Sequence, residues 1–302
     1  MLRSPGTAVL ALLLFAQAPA TAQELVPRAY WPAPTGTKIV VAGYQRSEGD
    51  VLTDPSLPVE GVESTIDFLS ITYQQTFDWF GRTTNLQLNV PFAWGDAQGF
   101  VEGEFRTRSI SGLADVRARL SVNLAGAPAM DGARFQELRA NPKTIVGASI
   151  LVSAPTGDWD PDNVFNAGLN RWAVKPAIGM IYPLRPDWLL EAEVGAWFFG
   201  DNDEFLGETR EQDPIGSAAF HLVKRIRPGF WASLDATYYW GGSTNVGGTA
   251  RDDRQENSRI GATMLWPFKR KHALRISGSI PLTTSAGGDF DTVTIAYAYV
   301  WY

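Results

Sequence analysis

The sequence predicts an all-β protein: a transmembrane, antiparallel, up-and-down β-barrel of about twelve strands behind a cleaved signal peptide. Three observations predict it. Apolar and polar residues alternate one by one through most of the chain. Tight and long connections alternate between those runs. After the N-terminal leader, no stretch approaches the ~18 consecutive apolar residues that mark a membrane helix.

The leader comes first. Met1, Leu2 and Arg3 form a short basic start, Ala8 to Ala16 an apolar run, and Ala20-Thr21-Ala22 a small-x-small cleavage site. The apolar run is about 10 residues, half of the ~20 that a permanent helical span needs. Residues 1–22 are therefore read as a signal peptide, leaving 302 − 22 = 280 mature residues. Residues 23–37 carry Pro27, Pro32 and Pro34. Proline cannot donate to a sheet ladder, so this piece is read as an extended lead, either periplasmic or lining the lumen. Residues 38–302 are read as the barrel.

Alternation defines the strands, because successive side chains of a strand point to opposite faces. Asn85, Gln87 and Asn89 interleave with Leu86, Leu88 and Val90. From Leu113 to Leu124 one face reads Asp115, Arg117, Arg119, Ser121 and Asn123, and the other is apolar throughout. Ser233, Asp235 and Thr237 oppose Leu234, Ala236 and Tyr238; Arg275, Ser277 and Ser279 oppose Leu274, Ile276 and Ile280. Residues 64–77 and 188–199 alternate less cleanly.

Short connections fall at 78–82, 184–187, 227–229 and 269–271, and long polar ones at 48–61, 95–112, 156–171, 201–213, 241–257 and 283–289. That is the pattern of tight periplasmic turns and long extracellular loops. Residues 125–143 break it: a long connection stands where a tight turn belongs, and its 131–139 portion reads as a short helix in a periplasmic excursion. Aromatic residues gather near strand ends, at Trp79 and Phe80, Phe92 and Trp94, Phe198 and Phe199, Tyr238 and Trp240, and Trp266 and Phe268, where interfacial girdles sit. The final strand carries Ile295, Tyr297, Tyr299 and Trp301 on one face and reads as the handle for the barrel-assembly machinery.

Composition narrows the function. The chain has no cysteine, which excludes disulfides and thiolate metal sites. The mature chain has 25 basic and 32 acidic residues, a net charge of −7, against the clustered positive charge that a nucleic-acid partner demands. Mean hydropathy is only −0.11. An exported chain of average hydropathy with 11 tryptophans fits a barrel whose strands face lipid on one side and water on the other. A secreted sandwich or lipocalin-like barrel would also alternate. The mid-strand charges, the uninterrupted β-pattern and the aromatic terminal strand favour the membrane barrel.

A resemblance points the same way. It rests on ELVPRAYWP at 24–32, GT at 36–37, AGY at 42–44, GDV at 49–51, DPSLP at 54–58 and KTIVGAS at 143–149. Further stretches are NRW at 170–172, WFFGDN at 197–202, TREQDP at 209–214, LDATYYWGG at 234–242 and DDRQ at 252–255. These resemble the "MetA-pathway of phenol degradation" family of outer-membrane proteins along essentially the whole mature chain. That pattern ends at or near a tryptophan, whereas here Tyr302 follows Trp301. The resemblance implies an outer-membrane barrel linked to uptake of aromatic compounds and brings no catalytic or binding residues with it.

The chemistry present fits a conduit better than an enzyme. A lipid hydrolase of the twelve-stranded phospholipase type needs a His-x-Ser pair, and the residues two beyond His221 and His272 are Val223 and Leu274. Asp158, Asp160 and Asp162 start like a calcium loop, but Asn163 and Leu169 replace its glycine and glutamate. No metal or cofactor is expected. Asp115, Arg117, Arg119, Lys175, Glu191, Glu193, Asp235, Arg259 and Arg275 are the lumen-lining candidates. Their mixed signs suggest mutual pairing and argue against a strong anion or cation filter. The expectation is a monomeric passive transporter for small aromatic or hydrophobic solutes. Its surroundings would be outer-membrane lipid and lipopolysaccharide. The rival reading is a closed structural or surface-interaction barrel.

Overall fold

In the computed structural model, alternation becomes a closed antiparallel barrel. The structure describes residues 26–302 except 53–58, 102 and 164, so the signal peptide and DPSLP motif read above lie outside the described residues. The strands are β1 (Lys38–Leu52), β2 (Val59–Trp79), β3 (Arg82–Val101), β4 (Glu104–Leu113), β5 (Arg117–Ala125), β6 (Ile145–Ser153), β7 (Ala173–Arg185) and β8 (Trp188–Phe199). They continue as β9 (Asn202–Phe205), β10 (Glu208–Gln212), β11 (Ile215–Arg227), β12 (Phe230–Gly241), β13 (Thr244–Val246), β14 (Thr249–Ala250), β15 (Gln255–Lys269), β16 (His272–Thr283) and β17 (Gly287–Trp301). One helix, α1 (Gly132–Ala140), falls between β5 and β6.

Twelve staves close the barrel, with β17 zipped to β1 from Lys38↔Trp301 to Leu52↔Gly287. Two predicted features are corrected. Leu113 to Leu124 is not one continuous strand: the stave is split into β4 and β5, which pair with the outer and inner halves of β3. The break exists because Asp115 turns aside to cap the 156–169 loop, accepting from the backbone N–H of Gly157 (3.0 Å) and of Leu169 (2.9 Å). Residues 95–112 are not a loop either: β3 and β4 run on as a hairpin to Val101↔Glu104. Above the bilayer both faces of a strand are wet, so polar composition no longer separates strand from loop.

At the tight end the turns obey backbone sterics. Phe80 (φ 50°) and Gly81 (φ 75°) join Trp79 to Arg82 in a two-residue turn with both φ positive, the geometry that suits the twist of a hairpin. That end also holds the N-terminal lead and Trp301, and is the periplasmic one. On the opposite side, β14-β13-β10-β9 forms a separate four-stranded sheet from two loops that were read as irregular, 201–213 and 241–257. The outward face of the staves is apolar, with Leu69, Ile71, Val90, Ile178, Val194, Leu234 and Val293 all exposed, as lipid contact requires.

The connection after β5 has its helix, but it folds into the barrel mouth rather than away from it. Asp131 caps α1, accepting from Arg134 N–H at 2.9 Å. Met130, Leu138 and Ala127 join Tyr30 from the N-terminal lead and Ile145, Ile181, Leu189, Val223 and Trp231 from the inward faces of five staves. This apolar cluster fills much of the periplasmic mouth.

Candidate functional site

The lumen holds a cavity of about 600 Å³. It runs from Trp197 and Tyr239 in the extracellular half to Arg227, Pro228, Gly229 and Phe230 at a periplasmic turn. Its shape depends on the N-terminal lead. Gly147 and Gly179 face each other across β6 and β7. A Cβ on either would lie 2.3 Å or 2.2 Å from the Tyr30 ring, so these two glycines make the bed in which that ring lies. Tyr30 Oη then meets Ser149 Oγ at 3.0 Å. Two residues earlier, Arg28 pairs with Glu191 at 3.2 Å and donates its backbone N–H to the same carboxylate at 2.7 Å. Further along, Thr35 donates to Met130 O and Gly36 to Thr76 O. The lead is thus tied to β2 at Thr76, and its Arg28 and Tyr30 are fixed to the wall formed by β6, β7 and β8.

That wall carries the charges. Glu193, on β8, accepts from Arg119 on β5 at 2.6 Å and from Lys175 on β7 at 3.1 Å. Both bonds are charge-assisted and well shielded from solvent, which makes them stronger than a surface pair. Cationic groups also lie over aromatic rings: Arg119 over Tyr30 at 5.6 Å, Arg28 over Trp31 at 3.8 Å, Arg225 over Trp31 at 5.4 Å and Lys175 at 6.0 Å from Trp197. The facing wall is different. From β17 through β1, β2 and β3 the cavity is lined by Ile39, Val41, Gly43, Gln45, Phe68, Ser70, Thr72, Gln74, Gln87, Asn89, Pro91, Thr294, Ala296 and Ala298, with no charge among them.

Of the residues predicted to line the lumen, Arg117, Arg119, Lys175, Glu191, Glu193 and Arg275 border this cavity. The other three are used by the barrel itself. Asp115 caps the loop described above. Asp235 meets His221 Nδ1 at 2.7 Å and accepts from Thr263 Oγ1 at 2.8 Å. Arg259 donates to Ser279 Oγ and to the carbonyl of Phe290.

Sequence reasoning missed Arg28, Tyr30, Trp31, Arg139, Arg225 and Arg227. Arg225 and Arg227 could have been found by extending the inward parity of β11 past Val223. With them the mixed lining leans basic: the cavity is bordered by eight cationic side chains (Arg28, Arg117, Arg119, Arg139, Lys175, Arg225, Arg227 and Arg275) and two anionic ones. A chain with formal net charge −6 therefore surrounds a basic lumen. Of the predicted acidic loop residues, Asp158 accepts from Leu113 N–H and Asp160 from Asp162 N–H and Asn163 Nδ2. Among the described residues no cluster could hold a metal ion.

Comparison with known proteins places this geometry. A family model described as "Putative MetA-pathway of phenol degradation" matches residues 42–300. The chain belongs to that family. The chain is similar in structure to the COG4313 outer membrane channel from Pseudomonas putida F1. It superposes with a TM-score of 0.76 at 23% identity, covering 92% of this chain and 100% of that one. The transport unit of the autotransporter AIDA-I from Escherichia coli gives 0.51 at 9% identity, covering 98% and 97%. The β domain of the Bordetella autotransporter BrkA gives 0.50 at 14%, covering 88% and 100%. No curated protein sequence matches the chain. These likenesses establish the fold: a β-barrel of the Gram-negative outer-membrane kind.

Proposed function

We propose that this member of the phenol-degradation family is a passive outer-membrane channel for small aromatic compounds, with a preference for anionic ones. The observation that carries the reading is the cavity. It passes the N-terminal lead and reaches the periplasmic turn at Pro228–Gly229, one wall basic and aromatic, the other smooth and uncharged. An aromatic solute would slide along Ile39, Val41, Gly43 and Ala296 while its polar edge met the opposing guanidinium groups. The driving force would be the concentration gradient. No separate energy-coupling domain precedes β1 among the described residues. The barrel is expected to work as a monomer held in lipid and lipopolysaccharide, inserted through its terminal strand.

Single-channel recording of the refolded protein in a planar bilayer tests this. Discrete conductance steps, with a reversal potential on the anion side in a salt gradient, are the expected result. A silent bilayer, with folding shown by heat-dependent gel mobility, would favour the closed structural barrel instead.

A further inference from the structure

Just above the cavity, where β7 and β8 emerge toward the loops, lies a second cluster that the channel reading does not use. Arg171 precedes β7, shares its inward parity and is 3% exposed. Its guanidinium lies 4.6 Å from the Phe199 ring centroid, and Phe199 stacks on Trp197 at 6.3 Å and 11°. Trp197 is the outermost residue of β8 that borders the cavity. One arm of Arg171, Nη2, donates to Gln212 Oε1. The other arm, Nη1, is buried with no hydrogen-bond partner among the described residues, and so is Trp197 Nε1. Arg210, in the four-stranded sheet above, is also buried, 5.2 Å from the Phe205 ring.

We propose that Arg171, Arg210 and Trp197 form a capture site for an aromatic carboxylate at the extracellular mouth. A buried guanidinium is costly unless its charge and donors are met. Here neither arginine makes an ion pair among the described residues. The acids that act on them are committed elsewhere or stand apart. Asp253 holds Thr244 N–H and Oγ1 at 2.8 and 2.6 Å, Asp115 holds the 156–169 loop, and Asp201 is exposed. Burial, with Arg210 adding repulsion, lowers Arg171 to about 9, and burial lowers Arg210 to about 10. Two buried guanidinium groups therefore stand in one region without a salt bridge among the described residues.

A carboxylate would answer the unmet Nη1 of Arg171, because a charged acceptor makes the strongest bond to a guanidinium. An aryl group on that carboxylate has Phe199 and Trp197 to stack on. Lipid phosphates are excluded, since Arg171 faces the lumen beneath the loop sheet. The site would deliver its ligand to Trp197 and then to Lys175, the next cation along the wall. This narrows the solute class of the channel and rests on that reading for its purpose, but binding can be measured without transport.

The experiment is calorimetric titration of the full refolded barrel in detergent with benzoate, benzyl alcohol and acetate. Benzoate should bind at least ~10-fold more tightly than either relative, since each lacks one half of the recognition. Arg171→Gln should abolish benzoate binding, Arg171→Lys should retain part of it, and Trp197→Phe, which keeps the ring and removes the N–H, should weaken it several-fold. Heat-dependent gel mobility confirms that each variant is folded. Equal binding of benzoate and benzyl alcohol, equal binding of benzoate and acetate, or unchanged binding by Arg171→Gln would overturn the site. If benzoate binds as expected but the bilayer stays silent, the transport reading fails and the capture site stands.

Discussion

The two walls of the lumen are built from the same alternating pattern and do opposite things. On β5–β8, inward positions carry Arg119, Lys175, Glu191 and Glu193, and the N-terminal lead is fixed across them. On β17 and β1, inward positions carry Val41, Gly43, Ala296 and Ala298. Charges on the first wall need partners once shielded from water, and the lead supplies some of them. Small apolar groups on the second wall need none. The difference teaches that one strand parity can build both a charged wall that holds the lead and an uncharged wall opposite it.

The most drastic way to break the contrast is to remove the lead. A chain lacking residues 26–34 after the cleavage site should conduct several-fold more in planar bilayers, because Tyr30, Trp31 and Arg28 no longer occupy the lumen. Its midpoint for urea unfolding from detergent should also drop. Loss of the buried Tyr30 alone is worth roughly 1.5–3 kcal/mol, and Glu191 would lose the guanidinium 3.2 Å away. Unchanged conductance would show that the lead is not the constriction.

Glu193→Gln comes next. It leaves Arg119 and Lys175 without the carboxylate they share at 2.6 and 3.1 Å. Breaking a buried pair from one side costs about 3–5 kcal/mol, and less where, as here, some solvent reaches the groups. The reversal potential in a salt gradient should move further toward anions. A shift toward cations would mean that the basic lining does not set selectivity.

How far this was legible in the sequence differs between the walls. Period-two parity alone placed Arg117, Arg119, Lys175, Glu191, Glu193 and Arg275 on the inward face, because strand geometry leaves a side chain only two directions. Parity could not supply Arg28 or Arg139, which enter from the lead and from α1 and add to the basic lining. It also could not find the extended β3–β4 hairpin or the sheet formed by β9, β10, β13 and β14, where no lipid face exists to impose alternation. Asp115, Asp235 and Arg259 share the inward parity yet serve the scaffold. Parity says where a side chain points and not what it meets there.

A smaller effect is expected from Gly179→Ala. The new Cβ would sit 2.2 Å from Tyr30 Cε2 and 3.0 Å from the carbonyl oxygen of Ala192, so the ring must lift from its bed. Overpacking of this kind costs typically ~1–3 kcal/mol. Conductance should become noisier, with flickering between substates as the lead partly detaches, and stability should fall by less than in the truncated chain. Quiet, wild-type-like openings would show that the glycine bed does not hold the lead.

The apolar wall gives the last and smallest change. Ala296 lies opposite Gly43 across the β1–β17 seam and borders the cavity. Ala296→Leu adds three methyl-sized groups without adding charge, so it should lower conductance modestly and leave the reversal potential where it was. The flux of a bulky aromatic solute into liposomes should fall more than that of chloride, because the ring needs the flat surface and the ion does not. If chloride and the aromatic solute fall in the same proportion, the wall acts only as volume, and the division of labour between the two sides of the lumen is lost.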